Sequence, residues 1–262
     1  MSVPIVLFLS FDRKMVRGMY SAAPHKAYAR EVHRILFFLA SAATVQTKLP
    51  IYIAASGERN ATAEALFEKA GARVIQGTYV PPPKWASRYH KLSFCKLGAL
   101  ALTQFHRVVV MDNDMVLLKN VDALSSSSLA QAPAAVFHAT TVKGRTVQPG
   151  TDLCSVTTGL LVLTPSRSAF EQALRHLQHE MNIGMSYAAY DGSDQEFFRS
   201  FYSAKRGTPW YELPLRYQTH QMIKPENASD WTDMRAIHII SGFRQSHARV
   251  PPSIRARMRY FK

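Results

Sequence analysis

The sequence predicts an α/β fold with a doubly wound central sheet, and three observations carry that prediction. Strand-like and helix-like segments alternate through the first half in a βαβαβ order. Residues 108–111 (Val108, Val109, Val110, Met111) are apolar without polar alternation, the pattern of a strand buried in a parallel sheet. The chain has 262 residues, 47% hydrophobic and 19% charged, which is enough apolar material for a sizeable core and excludes a mostly disordered chain.

The elements follow in order. Residues 5–10 are β-rich and fit a buried first strand, and residues 25–43 read as a helix. Residues 50–54 are again strand-like. Asn60 is placed to cap a helix that runs through Lys69, with Gly71 just past its end. Residues 72–75 give a third strand, and Pro81, Pro82 and Pro83 require an extended loop. Residues 91–104 carry helical spacing and lead into the strand at 108–111. Beyond it, residues 134–137 and 160–163 read as strands, and residues 166–181 as a helix capped by Ser166. A helix over 194–202 and a strand over 236–240 complete the pattern, and the serines at 125–128 read as a turn. No repeat and no linker divides the chain, so one domain spanning 1–262 is expected.

Lys and Arg outnumber Asp and Glu by 32 to 18, a formal net charge of +14. Such a surplus points to an anionic partner: nucleic acid, a membrane surface or a phosphorylated substrate. The basic residues are clustered. Seven fall between Lys69 and Met111 with no acid among them, and six more run from Arg244 to the end. Cys95 and Cys154 cannot build a disulfide framework or a four-cysteine zinc site, and two free thiols in a reducing compartment are expected. The apolar run at residues 3–9 is too short for a signal peptide, and no stretch is long enough to cross a membrane. A cytoplasmic protein is expected, with a peripheral membrane contact open to its basic end.

Asp112-Asn113-Asp114 directly follows the buried strand. The carboxyl ends of strands are where open α/β sheets bind ligands, and two hard oxygen donors there suit Mn²⁺ or Mg²⁺. A solvated strand-to-loop turn would use the same residues. Asp191-Gly192-Ser193-Asp194-Gln195 is a second acidic cluster, and one of its aspartates is expected to cap the helix that follows. His238 ends an apolar strand, where a histidine is ordinarily a core residue. It gains interest from Ser241-Gly242-Phe243-Arg244, a small-residue turn beside a cation that suits a diphosphate.

Taken together, these blocks resemble the glycogenin-like retaining glycosyltransferases, glycosyltransferase family 8. Lys96-Leu97, Leu102-Thr103-Gln104-Phe105 and the run from Val108 to Asp114 resemble the family's block ending in its metal-binding Asp-x-Asp. Asn120-Val121-Asp122-Ala123-Leu124 continues it. Thr157-Thr158-Gly159-Leu160-Leu161-Val162, then Pro165-Ser166, resembles the family's Asn-Ser/Ala-Gly strand. Asp191 to Gln195 resembles its Asp-Gly-Gly-Asp-Gln segment, Ile237-His238-Ile239 its late strand, and Ala27-Tyr28-Ala29 the start of its first helix.

The resemblance implies a GT-A type fold, a single Rossmann-like mixed central sheet flanked by helices. Residues 1–124 would be the nucleotide-binding half, 125–243 the acceptor and sugar half, and 244–262 a basic tail. It implies a metal-dependent transfer of a hexose from a UDP-sugar, with retention. Asp112, Asp114 and His238 would hold Mn²⁺ or Mg²⁺. Lys96 and Arg244 would neutralise the diphosphate. Asp191, Asp194 and Gln195 would contact the sugar and the reacting centre. Leu9, Ser10 and Tyr28 would cradle the uridine, with Asn113, Thr158, Gly159 and Gly242 completing the donor site.

Two departures stand out. Thr157 replaces the family's Asn, near the expected sugar. In the late His-x-x-Gly-x-x-Lys-Pro-Trp motif, Ser241 replaces Gly, Arg244 replaces Lys, and no Pro-Trp follows. Residues 12–24 look like an insertion. The acceptor stays open between carbohydrate, lipid and protein, and none of Tyr187, Tyr190, Tyr202 and Tyr211 is singled out as a self-glycosylation site. The alternatives are a basic nucleic-acid-binding protein, for which no zinc finger, helix-turn-helix or RNP-like motif speaks, and a catalytically silent family member.

Overall fold

The computed structural model describes residues 3–11, 24–87, 90–126, 132–138, 141–142, 145–146, 155–182, 192–202, 210–219 and 228–239. Strand β1 (Ile5–Phe11) leads to helix α1 (Pro24–Thr44), β2 (Ile51–Gly57), α2 (Ala61–Lys69) and β3 (Arg73–Gln76). A 3₁₀ segment (Lys91–Ala101) precedes β4 (Val108–Met111) and β5 (Met115–Leu117). Then come β6 (Ala134–His138), the small hairpin β7 (Thr141–Val142) and β8 (Arg145–Thr146), and β9 (Ser155–Leu163). Helices α3 (Arg167–Asn182) and α4 (Asp194–Phe201), β10 (Tyr211–Glu212) and β11 (Ala236–His238) finish the order.

Seven strands form one mixed sheet in the order β10-β6-β9-β4-β1-β2-β3. β4 runs parallel to β1 and antiparallel to β9. Its apolar run therefore reflects burial on both faces, not an all-parallel sheet. Alternate residues of the strands feed two cores. Ile5, Leu7, Leu9, Val109 and Met111 face α1 through Ile35, Phe38 and Leu39. Val6, Phe8, Val108 and Val110 face the 3₁₀ segment and helices α3 and α4 through Phe94, Leu97, Leu177, Phe197 and Phe198. The layered, mixed-sheet α/β architecture read from the sequence is the one observed.

The local signals also hold in places. Asn60 accepts a hydrogen bond from Ala63 N at 3.0 Å, and Gly71 takes a positive φ of 91°. Ser166 caps α3 by accepting from Ala169 N at 3.0 Å. Four expectations need correction. The segment expected to be a helix over 91–104 is 3₁₀ and ends at Ala101; every residue from Phe94 to Leu100 is buried in it, so no single face sets the period. The strand expected at 160–163 begins at Ser155, and the one expected at 236–240 stops at His238. β5 was not anticipated, because three apolar residues carry no periodicity; it pairs antiparallel with β11 in a separate two-stranded sheet.

Asp122 locks the loop after α1 to the loop after β5. It accepts from the Thr47 hydroxyl, from Lys48 N at 3.0 Å and from Asn120 Nδ2 at 3.0 Å. Cys95 is a free, buried thiol, pushed up to about 12 by burial and so inert as a nucleophile. Cys154, Asp191, Gly242, Arg244, Tyr187, Tyr190, the serines at 127–128 and the basic tail at 244–262 lie outside the described residues. Among the described residues, no helix is long and apolar enough to cross a membrane.

Candidate active site

The site lies at the carboxyl end of β4. Asp112 N donates to Gly159 O at 2.9 Å, which ties the end of β4 to β9. Met115 N then donates back to Asp112 O at 3.1 Å, so the chain turns directly into β5 with Asp112 and Asp114 on the turn. Ile239 N donates to Asp114 O at 2.8 Å, and the β5–β11 register sets His238 opposite Met115. Residues more than a hundred positions apart in sequence are thereby joined. His238 Nε2 stands 2.9 Å from Asp114 Oδ1 and 3.5 Å from Asp112 Oδ2. One ligand atom from each of the three lies within 4.8 Å of the others, a spacing a single ion can bridge.

Lys96 is the hub of the buried side. Its Nζ lies 2.8 Å from Asp112 Oδ1 and 3.0 Å from Asp194 Oδ2, and donates to Thr158 O at 3.1 Å. Lys96 is only 5% exposed and Asp194 2%, so this is an interior ion cluster in which each charge depends on the others. Burial opposes the ammonium, but Asp112 and Asp194 outweigh it and raise the Lys96 pKa. Burial likewise pushes Asp194 up, but Lys96 and hydrogen bonds from Ser93 and Thr158 hold it ionised, below its ordinary value.

Toward His238, burial raises Asp112 against the pull of Lys96 and His238. Asp114 is held at about 2: burial would raise it, but the His238 imidazole, its hydrogen bond, Arg34 and Lys96 prevail. Burial disfavours the imidazolium of His238, yet Asp114 and Asp112 raise its pKa.

The expected uridine residues also come together. Leu9, Ser10 and Tyr28 line one pocket with Ala27, Glu31 and Leu92, and the Phe11 ring meets Tyr28 edge-on at 4.7 Å. Asn113 anchors this wall by donating to Phe8 O at 2.9 Å. Gln195 accepts from Thr158 N at 3.3 Å, which joins α4 to β9.

One expectation about the acidic cluster is corrected. Ser193 holds the N-cap position of α4, and Asp194 lies inside the first turn with its carboxylate on Lys96. Gly192 takes a φ of +74°, and a Cβ there would stand 2.4 Å from Ser87 N, so only glycine fits between Asp191 and Ser193. Thr157 is 1% exposed and its hydroxyl meets Val136 O and Gln218 Oε1, each at 2.9 Å. The departure at this position therefore bears on the packing behind the site.

Sequence reasoning missed Glu31 and Arg34. Arg34 Nη1 donates to Glu31 Oε1 at 3.0 Å, and Nη2 lies 3.8 Å from Asp114 Oδ2, so this pair links the pocket to the Asp112, Asp114 and His238 cluster. Their i,i+3 spacing on α1 was visible in the sequence, but nothing there tied it to Asp114.

Gly159 gives a local test. A Cβ there would lie 2.6 Å from Gln218 Nε2 and 2.7 Å from His238 Nδ1. Gly159→Ala is expected to displace His238 and, with His238 read as a metal ligand, to weaken Mn²⁺ binding by at least about tenfold, while circular dichroism stays unchanged. Calorimetric titration with Mn²⁺ reads the effect.

No protein-family model matches the chain. Solved structures share its fold. A galactosyltransferase LgtC, crystallised with donor and acceptor sugar analogues, covers 99% of this chain and 95% of its own at a TM-score of 0.63 and 10% identity. The glycosyltransferase GlyE of Streptococcus pneumoniae TIGR4 covers 99% of this chain and 61% of its own at 0.60 and 12%. Mouse xyloside xylosyltransferase 1 covers 93% and 99% at 0.58 and 11%. The protein thus has the GT-A fold of glycosyltransferases, a mixed seven-stranded sheet flanked by helices.

Two curated sequences from Arabidopsis thaliana carry the likeness further. The "Putative glucuronosyltransferase PGSIP8" is 33% identical over 156 residues, 58% of this chain, and its relative PGSIP7 is 32% identical over 155 residues. The matched part spans 27% of the length of each plant protein.

Proposed function

We propose that the chain is a metal-dependent retaining glycosyltransferase that moves a hexose from a UDP-sugar to a carbohydrate, lipid or protein acceptor. The observation that carries this reading is the Asp112, Asp114 and His238 cluster, set beside the buried Lys96–Asp194 pair. The names of the plant relatives and the fold neighbours point the same way.

The residues fit a divalent cation. Two carboxylates and one imidazole at the end of a buried strand are a hard, oxygen-rich donor set suited to Mn²⁺ or Mg²⁺. The close packing of His238 on both carboxylates gives them a partial counter-charge, the role a bound ion would take over. When bound, the cation supplies positive charge to the departing diphosphate.

The remaining work falls to the chain. Leu9, Ser10 and Tyr28 hold the uridine against the pocket wall that Asn113 anchors. Lys96 couples the two sides of the site, because one ammonium balances both the cation ligand Asp112 and the sugar-side Asp194. Asp194, kept ionised in a buried setting, stabilises the positive charge that grows at the anomeric carbon, as in other oxocarbenium-like chemistry. The bond from the anomeric carbon to the phosphate oxygen breaks, and the acceptor oxygen bonds to that carbon on the same face. The acceptor proton passes to the departing phosphate. Asp191, Gly242 and Arg244 keep the sugar and diphosphate roles that the resemblance implies.

A donor screen tests this reading. The protein is incubated with Mn²⁺ and a panel of UDP-hexoses, with GDP-, CDP- and ADP-sugars as controls, and products are read by mass spectrometry. Release of UDP from at least one UDP-hexose is expected. Turnover of none of them, with tight and salt-sensitive binding to DNA or RNA instead, would contradict it.

A further inference from the structure

Each carboxylate of the Asp112, Asp114 and His238 cluster has one oxygen toward His238 and the other on a side-chain cation. Asp112 turns Oδ2 to His238 Nε2 at 3.5 Å and Oδ1 to Lys96 Nζ at 2.8 Å. Asp114 turns Oδ1 to His238 Nε2 at 2.9 Å and Oδ2 to Arg34 Nη2 at 3.8 Å. Lys96 comes from the 3₁₀ segment on one face of the sheet, and Arg34 from α1 on the other.

Arg34 is itself held. Its Nη1 donates to Glu31 Oε1 at 3.0 Å, three residues earlier on α1. The neighbouring Ile35 is fully buried against the sheet. Leu117 N donates to Ser41 Oγ at 3.1 Å, which fastens α1 to β5, the strand that follows Asp114. The Asp114 side chain is 14% exposed and that of Arg34 30%, so water and salt screen this pair less than one at the open surface.

We propose that Arg34, set by Glu31, is a positioning residue for Asp114, the counterpart of Lys96 on Asp112: the two cations fix the attitude of both carboxylates, so that the site selects its ion by size. The inference rests on the metal site proposed above. Ligating carboxylates ordinarily take such support from a neighbouring donor. Discrimination between small and large divalent ions depends on cavity size, ligand number and ligand flexibility. Two fixed carboxylates favour a compact ion such as Mn²⁺ or Mg²⁺, whereas an Asp114 free to turn can follow the larger Ca²⁺.

The test uses the full chain. Arg34→Met keeps most of the stem and removes the guanidinium; Arg34→Lys keeps the charge without the planar fork. Mn²⁺ affinity is read by electron paramagnetic resonance, Ca²⁺ affinity by displacement of Mn²⁺, and folding by circular dichroism. Removing a positive charge beside the site acts alike on two divalent ions, so the ratio of their affinities reports ligand geometry. In Arg34→Met the preference for Mn²⁺ over Ca²⁺ is expected to fall by about tenfold or more, and Arg34→Lys to recover part of it. A crystal structure of the Mn²⁺-loaded wild type is expected to keep Arg34 on Asp114. An unchanged ratio in a folded Arg34→Met would overturn this inference alone. So would a Mn²⁺-loaded wild type in which Arg34 has left Asp114, a result that needs no variant to fold. Wild-type protein that takes up no Mn²⁺ would overturn the metal reading and this inference with it.

Discussion

Asp112→Asn is expected to lower UDP-sugar turnover by about 10³-fold or more while the protein stays folded. On the proposed mechanism the amide would match the carboxylate in shape but bring no charge to a bound cation, which would then be held less well to offset the charge of the departing diphosphate. A loss of that size corresponds to about 4 kcal/mol of transition-state stabilisation, within reach of one electrostatic group in a closed site. The fold should tolerate the change. Burial already disfavours the Asp112 carboxylate, and Lys96 keeps Asp194 as a partner at 3.0 Å. Initial rates of UDP release, with the thermal midpoint as control, check this; a variant with a tenth or more of wild-type activity would contradict it.

Lys96→Met is expected to cost stability as well as activity. Methionine fills much of the lysine stem, so the loss is chiefly electrostatic. Without the ammonium, Asp112 and Asp194 share a buried space with no cation between them. Removing one partner of a buried ion cluster costs about 3–5 kcal/mol, or roughly 10 °C in the thermal midpoint for a chain of this size.

The effect carries a pH signature. Asp112 is already raised and rises further in the variant, so the folded variant binds a proton more readily than the unfolded chain does. A group raised in the folded state adds stability as pH falls through its folded value. In the wild type Asp194 works the other way: its lowered pKa makes its contribution fade as pH falls through it, and Lys96→Met removes that contribution. The stability gap between wild type and Lys96→Met should therefore be widest at and above neutral pH and narrow in acid. Urea unfolding at several pH values measures it; a gap that widens in acid would contradict the ion-cluster account.

The parts of the site that were legible in the sequence are those set by strand ends. Asp112 and Asp114 follow a run too apolar to be anything but an interior strand, and His238 closes a second apolar strand. Their meeting depends on β5, whose three residues carry no periodic signal, and on its antiparallel register with β11. Lys96 was legible as a cation of the site but not as the partner of two carboxylates. Its segment is buried on every side and winds as 3₁₀, so a helical wheel points it nowhere in particular. One of Asp191 and Asp194 looked like a helix cap because capping residues and buried acids share the same place in sequence, and for Asp194 only burial separates them.

Removing and restoring the metal addresses the proposed chemistry at its root. Protein stripped with EDTA should release no UDP from a UDP-hexose that the untreated protein consumes. Excess Mn²⁺ should restore release in the wild type and leave Asp112→Asn inactive. Undiminished UDP release in EDTA would contradict the account.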